Sequence, residues 1–173
     1  MLGFKYQIQK NKLTITGFFS RAEKLSRACN RYSGNVKEIL IPAKIDNKSV
    51  TAIGYSAFSC VTSTNNDKLF NNLTHVQIPT SVIYIHRWAF ESNELTNIEL
   101  PNSITYIGSY AFQDNDLSTI QIPDSVTFIG TGAFAANRLT NIVIPEKFKT
   151  EEQIHDIFKF SLDGVISSQP RLY

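Results

Sequence analysis

Leu95-Thr96-Asn97-Ile98-Glu99-Leu100-Pro101-Asn102-Ser103-Ile104-Thr105-Tyr106-Ile107 is the stretch that decides the fold, together with Gly108 and Ala111-Phe112 just after it. It recurs along the chain. Ile78-Pro79, Leu100-Pro101, Ile122-Pro123 and Ile144-Pro145 follow one another at a constant 22 residues. Ser81-Val82-Ile83-Tyr84-Ile85 with Ala89-Phe90, and Ser125-Val126-Thr127-Phe128-Ile129 with Ala133-Phe134, repeat the rest of the phrase. A fixed period of this kind means stacked supersecondary units, none of which can bury its apolar face alone.

Within one period, Leu95 to Leu100 alternates branched and polar residues, as a short parallel strand with one buried face does. Pro101 then ends the strand, because it has no N–H to continue a ladder. A second run, Ile104 to Ile107, is rich in β-branched and aromatic residues and reads as another strand. Gly108 closes it, and the expectation is that glycine supplies a turn conformation other residues adopt at a cost. His86 stands at the same place in another copy, so a positive φ is not an absolute requirement there. Ala111-Phe112 reads as a short turn that plugs the core with a large ring.

An earlier, looser copy runs from Val36 through Ile41-Pro42 to Ser49-Val50-Thr51-Ala52-Ile53-Gly54 and Ala57-Phe58. Pro42 and Pro79 stand 37 residues apart, with five extra residues before Ser49 and ten after Phe58. Insertions in such arrays become surface loops, and Ser59 to Asn72 has the composition of one.

The aligned phrase L-x-x-I-x-I-P-x-S-V-x-x-I-G-x-x-A-F resembles the BspA-type leucine-rich repeats, strongly over residues 36–145. Phe4-Lys5-Tyr6-Gln7-Ile8 and Leu13-Thr14-Ile15-Thr16-Gly17 are similar to the hairpin that opens members of that family. The resemblance implies a β-rich, right-handed leucine-rich repeat solenoid of the α/β superhelix class. It also implies a bacterial, often surface-exposed protein that serves adhesion or protein binding without a catalytic centre in its repeats. The expected organisation is a single domain of about four coils. Residues 1–35 form an N-terminal hairpin cap, residues 36–145 the repeats and residues 146–173 a C-terminal helical cap. The caps are needed because terminal coils expose apolar edges. Ser20-Arg21-Ala22-Glu23 has capping-box spacing, which predicts a short helix to about Asn30. Thr150-Glu151-Glu152-Gln153-Ile154 opens a second helix, with acidic residues in its first turn. Ile154, Ile157 and Phe158 would face the last coil. Residues 161–173 read either as a strand-like cover or as a tail.

A chain of 173 residues with 42% apolar residues holds one continuous core. Its net charge of +2, with Lys and Arg scattered, leaves no electrostatic footprint for nucleic acid. Its apolar runs are too short to span a membrane. Met1 to Gln7 lacks the charged-then-apolar order of a signal peptide, so the chain as given reads as cytoplasmic; secretion or surface display is the alternative if a leader was removed. Cys29 and Cys60 lie outside the regular repeats, as small apolar fillers or as a disulfide pair.

No cofactor, metal or catalytic group is expected. His75, His86 and His155 do not form a metal-ligand spacing. Glu152 and His155 have Glu-x-x-His spacing, which reads as the solvated face of a capping helix. Asp114, Asp116 and Asp124 read as solvated loop acids rather than a cation site. Asn71, Asn93, Asn115 and Asn137 recur after the Phe turn, as a column that pairs backbone groups of adjacent coils.

Two outward surfaces are candidates for a protein partner. The first strands present His75, Asn97, Glu99 and Gln121, polar positions that hydroxyl and amide ladders also explain. The second strands present Tyr84, Tyr106 and Phe128 in one file, and Trp88 and Tyr110 share another position. These rings form either a self-stabilising ladder or an exposed patch for a partner or a second copy of the chain. The expected function is therefore a non-catalytic protein-binding scaffold. An adhesin-like surface protein and a self-associating structural protein are the alternatives. A carbohydrate-active enzyme would need paired carboxylates beside the rings, with Glu91 and Glu94 the nearest.

Overall fold

A computed structural model describes residues 2–9, 12–20, 37–59, 73–159 and 171–172. The expected helix before Asn30, both cysteines, Asn71 and most of the Ser59–Asn72 segment lie outside the described residues.

Strands β1 (Leu2–Gln9) and β2 (Lys12–Ser20) form an antiparallel hairpin. β2 then lies parallel to β5 (Lys48–Ile53), so the hairpin joins the array edge to edge. β7 (Tyr84–Ile85), β8 (Tyr106–Ile107) and β10 (Phe128–Ile129) continue that sheet in parallel, with Tyr84 opposite Tyr106 and Tyr106 opposite Phe128. These are the second strands of successive repeats.

The first strands form two shorter sheets. β3 (Glu38–Leu40) pairs with β6 (His75–Gln77). β9 (Thr119–Gln121), β11 (Asn141–Val143) and β12 (Arg171–Leu172) form the other. The five extra residues before Ser49 make a hairpin: β4 (Lys44–Ile45) turns back onto β5 through Asp46 and Asn47, whose φ of 49° and 60° suit a two-residue turn.

Equivalent side chains line up in files. Phe58, Phe90, Phe112 and Phe134 are fully buried, with ring centroids 5.1, 5.3 and 5.3 Å apart and nearly parallel planes. That separation is slightly above the spacing of paired strands, so the rings stack because the backbones do. Leu73, Leu95, Leu117 and Leu139 form a second buried file, and Val50, Val82, Ile104 and Val126 a third. Helix α1 (Glu151–Phe158) follows, with Thr150 accepting a hydrogen bond from Gln153 N–H at 3.3 Å. Its Phe158 extends the Phe file, 5.9 Å from Phe134. The Asp156 and Ile157 carbonyls accept from Gly132 and Phe134 N–H, as a further coil would.

Two readings of the repeat need correction. The stretch Leu95–Leu100 is not a strand: the first-strand ladder breaks there, and residues 97–100 make no backbone hydrogen bond to any described residue. Leu100 is the one leucine in a file otherwise made of isoleucine. It is only partly buried, whereas Ile41, Ile78, Ile122 and Ile144 are buried. Glycine at 108 also has a different cause from the one expected, because its φ is not left-handed. A β-carbon there would fall 2.5 Å from the Arg87 backbone nitrogen, and one at Gly130 2.4 Å from that of Ser109. Close approach of successive coils, not turn conformation, excludes a side chain. The left-handed residue comes two positions later: Ser56, Trp88, Tyr110 and Gly132 have φ of 48°, 58°, 59° and 63°.

Candidate partner-binding surfaces

The interior polar column is explained by backbone pairing. Asn115 Nδ2 donates to the Phe90, Phe112 and Gln113 carbonyls at 3.0, 3.1 and 3.2 Å, and its Oδ1 accepts from Leu95 N–H at 3.1 Å. Asn93 and Asn137 repeat the arrangement one coil away on either side. Each amide thus ties one coil to the coil before it. The residue just ahead of each asparagine (Ser92, Asp114, Ala136) is left-handed, which swings the amide inward.

The rings of the second strands form two rows. In the first, Tyr106 stacks on Phe128 with centroids 4.7 Å apart, and Tyr84 is tilted against Tyr106 at 6.4 Å. His86 leans on both tyrosines, and its burial lowers its pKa from the usual 6.5. Phe128 is 46% and Tyr84 37% exposed. In the second row Trp88 stacks on Tyr110 at 6.2 Å, and the Arg87 guanidinium sits 3.7 Å above the indole, a cation–π contact. Among the described residues no ring contact joins the two rows.

Tyr55 belongs to the second row and was not foreseen. It is 60% exposed and meets the Trp88 ring edge-on at 5.0 Å. Its place in the first coil corresponds to Arg87, Ser109 and Thr131, none aromatic, so the period carried no signal for it.

On the opposite strands, His75, Asn97, Glu99 and Gln121 are all exposed, as is Leu40 at 66%. They border two adjoining grooves of about 850 and 490 Å³ that share Asn97, Glu99 and Leu100. The break in the ladder lies between them.

The acids are engaged separately. Glu94 pairs with Lys37 at 2.6 Å and Asp116 with Arg138 at 3.0 Å, while Glu91 accepts from Ser59 and Asp114 from Ser92. Among the described residues no group of three or more His, Cys, Asp or Glu side chains could hold a metal ion. No helix among them is long and apolar enough to cross a membrane.

Comparison with known proteins agrees with this geometry. Residues 66–159, more than half of the chain, match the BspA type leucine rich repeat region in six copies. The chain belongs to the BspA-type leucine-rich repeat family. Among solved structures it is similar to the T. pallidum leucine rich repeat protein. The two share 21% identity over 82% of this chain and 69% of that one, with a TM-score of 0.54, which supports a shared repeat fold. A leucine-rich repeat protein from Bacteroides ovatus ATCC 8483 aligns with 22% identity over 83% of this chain but 46% of its own, with a TM-score of 0.47. No curated protein matches the chain in sequence. BspA-type repeats point to a protein-interaction scaffold.

Proposed function

We propose that this BspA-type chain is a non-catalytic scaffold that holds a protein partner against the exposed surface of its repeats. In this reading four coils form the body, closed by the β1–β2 hairpin at one end and by α1 at the other. What carries the reading is the division of labour between side chains. The Phe, Leu and Asn files are consumed by packing and backbone pairing, while Asn97, Glu99 and Gln121 project beside a groove with no side-chain hydrogen bond or ion pair among the described residues, next to His75, which touches only Thr74 and Glu38. Solenoids of this kind use such extended surfaces for binding.

The test is a panel of purified proteins and peptides screened by biolayer interferometry, with an Asn97→Ala/Gln121→Ala variant as control. Capture that the variant weakens while its fold is intact supports the scaffold. A panel with no binder at all, or binding indifferent to every surface substitution, counts against it.

A second reading is self-association through the ring rows, favoured by the exposure of Tyr84 and Phe128. Light scattering on Tyr84→Ser/Tyr106→Ser would show a fall from dimer to monomer. A monomeric parent chain removes this reading. An adhesin-like role at the cell surface would need a leader ahead of the chain in its gene, which sequencing upstream would reveal.

A further inference from the structure

We infer that the groove over β3, β6 and residues 97–101 takes an extended segment of a partner that carries lysine or arginine side chains; this rests on the scaffold reading and names the partner's chemistry. The larger groove is bordered by Glu38, Leu40, His75, Gln77, Glu99 and Leu100. Neither groove has a Lys or Arg in its described lining, although the chain as a whole carries a net +2.

The two carboxylates are left without a strong base. Glu99 has no ion pair or hydrogen bond among the described residues, and Glu38 reaches only His75, at 3.9 Å. Glu94, Asp116 and Glu146 each pair with a Lys or Arg, whereas the exposed Asp124, Glu151 and Glu152, like Glu99, have no ion pair among the described residues. What sets Glu38 and Glu99 apart is that they line one groove together. The groove is therefore a negative strip on a mildly basic protein, and such a strip selects positive charge by complementarity.

The extended form follows from the backbone. Asn97 to Leu100 offer four successive main-chain units without a hydrogen-bonding partner among the described residues. A helix has already satisfied its own amides, whereas an extended strand brings N–H and C=O groups that need partners. Exposed Leu40 and half-buried Leu100 supply apolar contact beside the charges. A fitting sequence alternates basic and apolar residues, because alternate side chains of an extended segment share one face and the bases can then all face the groove that Glu38 and Glu99 line.

Fluorescence anisotropy on the full chain tests this with labelled heptapeptides of alternating Lys and Val, or of alternating Glu and Val. The Lys peptide should bind, more weakly as salt rises, and the Glu peptide should not. Glu38→Gln/Glu99→Gln should weaken the Lys peptide about five- to tenfold, given the strength of two exposed charge pairs. Glu38→Lys/Glu99→Lys should transfer binding to the Glu peptide. Both sites are exposed, and near-ultraviolet circular dichroism at Trp88 checks that the fold persists. Equal binding of the two peptides, an unaffected double variant, or displacement by spermine as effective per charge as the peptide itself would each overturn the inference. A partner that binds indifferently to Glu38 and Glu99 but is lost on Tyr84→Ser/Tyr106→Ser also overturns it and leaves the scaffold standing. Failure of every partner and peptide sinks both.

Discussion

The ring of Tyr110 lies over Gly132, so that a β-carbon on Gly132 would fall 2.5 Å from Tyr110 Cε1. Gly132 is also left-handed, at φ 63°. Its counterparts Trp88 and Tyr110 carry the same backbone with a side chain attached, so here the glycine serves to seat the ring from the preceding coil. Gly132→Ala should cost about 1–2 kcal/mol from the backbone alone, plus the displaced ring. Urea unfolding of Gly132→Ala, Tyr110→Ala and the double variant isolates the ring term as a coupling energy. Strict additivity would show that the ring moves aside without cost.

Phe112 stacks between Phe90 and Phe134 and is fully buried. Phe112→Ala should cost about 3–5 kcal/mol, a large share of the stability of a domain this size. A loss below about 1 kcal/mol would mean that neighbouring coils collapse into the space.

Asn115→Ala should cost about 3 kcal/mol, because the carbonyls of Phe90, Phe112 and Gln113 and the amide of Leu95 lose one shared partner. The Leu95 amide should then exchange hydrogen faster, while amides of β11, two coils on, keep their protection. Unaltered exchange at Leu95 would contradict the tie between coils.

Hydrogen exchange should also report the ladder break. Amides of Asn97 to Leu100 should exchange faster than those of β9 and β11, which are paired. Leu100→Ile restores the residue found in the rest of its file and should slow them, with a gain of up to about 1 kcal/mol. Equal protection of residues 97–100, β9 and β11 in the parent chain would rule the break out.

Stability should bend with pH for two partly desolvated groups. His86 has its pKa held below 6.5 by burial, so folding favours the neutral ring. The unfolded chain then takes up the proton first, and stability falls as pH drops below about 6.5 toward the folded value. Glu91 behaves in the opposite sense. Burial raises its carboxyl above 4.5, opposed by the Ser59 hydrogen bond, with Asp114 raising it further and Arg87 lowering it. Stability is lost as pH rises from about 4.5 through the folded value. Melting temperatures from pH 4 to 8 should lose the His86 slope in His86→Gly and the Glu91 slope in Glu91→Gln, and profiles that keep their shape would refute this.

The sequence by itself determined the files. Phe90, Phe112 and Phe134, the leucines before them and the asparagines after them recur at one period, and a solenoid turns equal spacing along the chain into vertical alignment. It also held the α1 start, since Thr150 with the acids after it is a local signal. Only the tertiary structure decided what depends on the distance between coils. The reason for glycine at 108 and 130, the break at Leu100, the separation of the Tyr106 and Trp88 rows, and the uncompensated Glu38 and Glu99 are of this kind. Each is set by atoms of a neighbouring coil about 5 Å away in space but some 22 residues away in sequence, where a side chain one atom larger or smaller changes the outcome without changing the period.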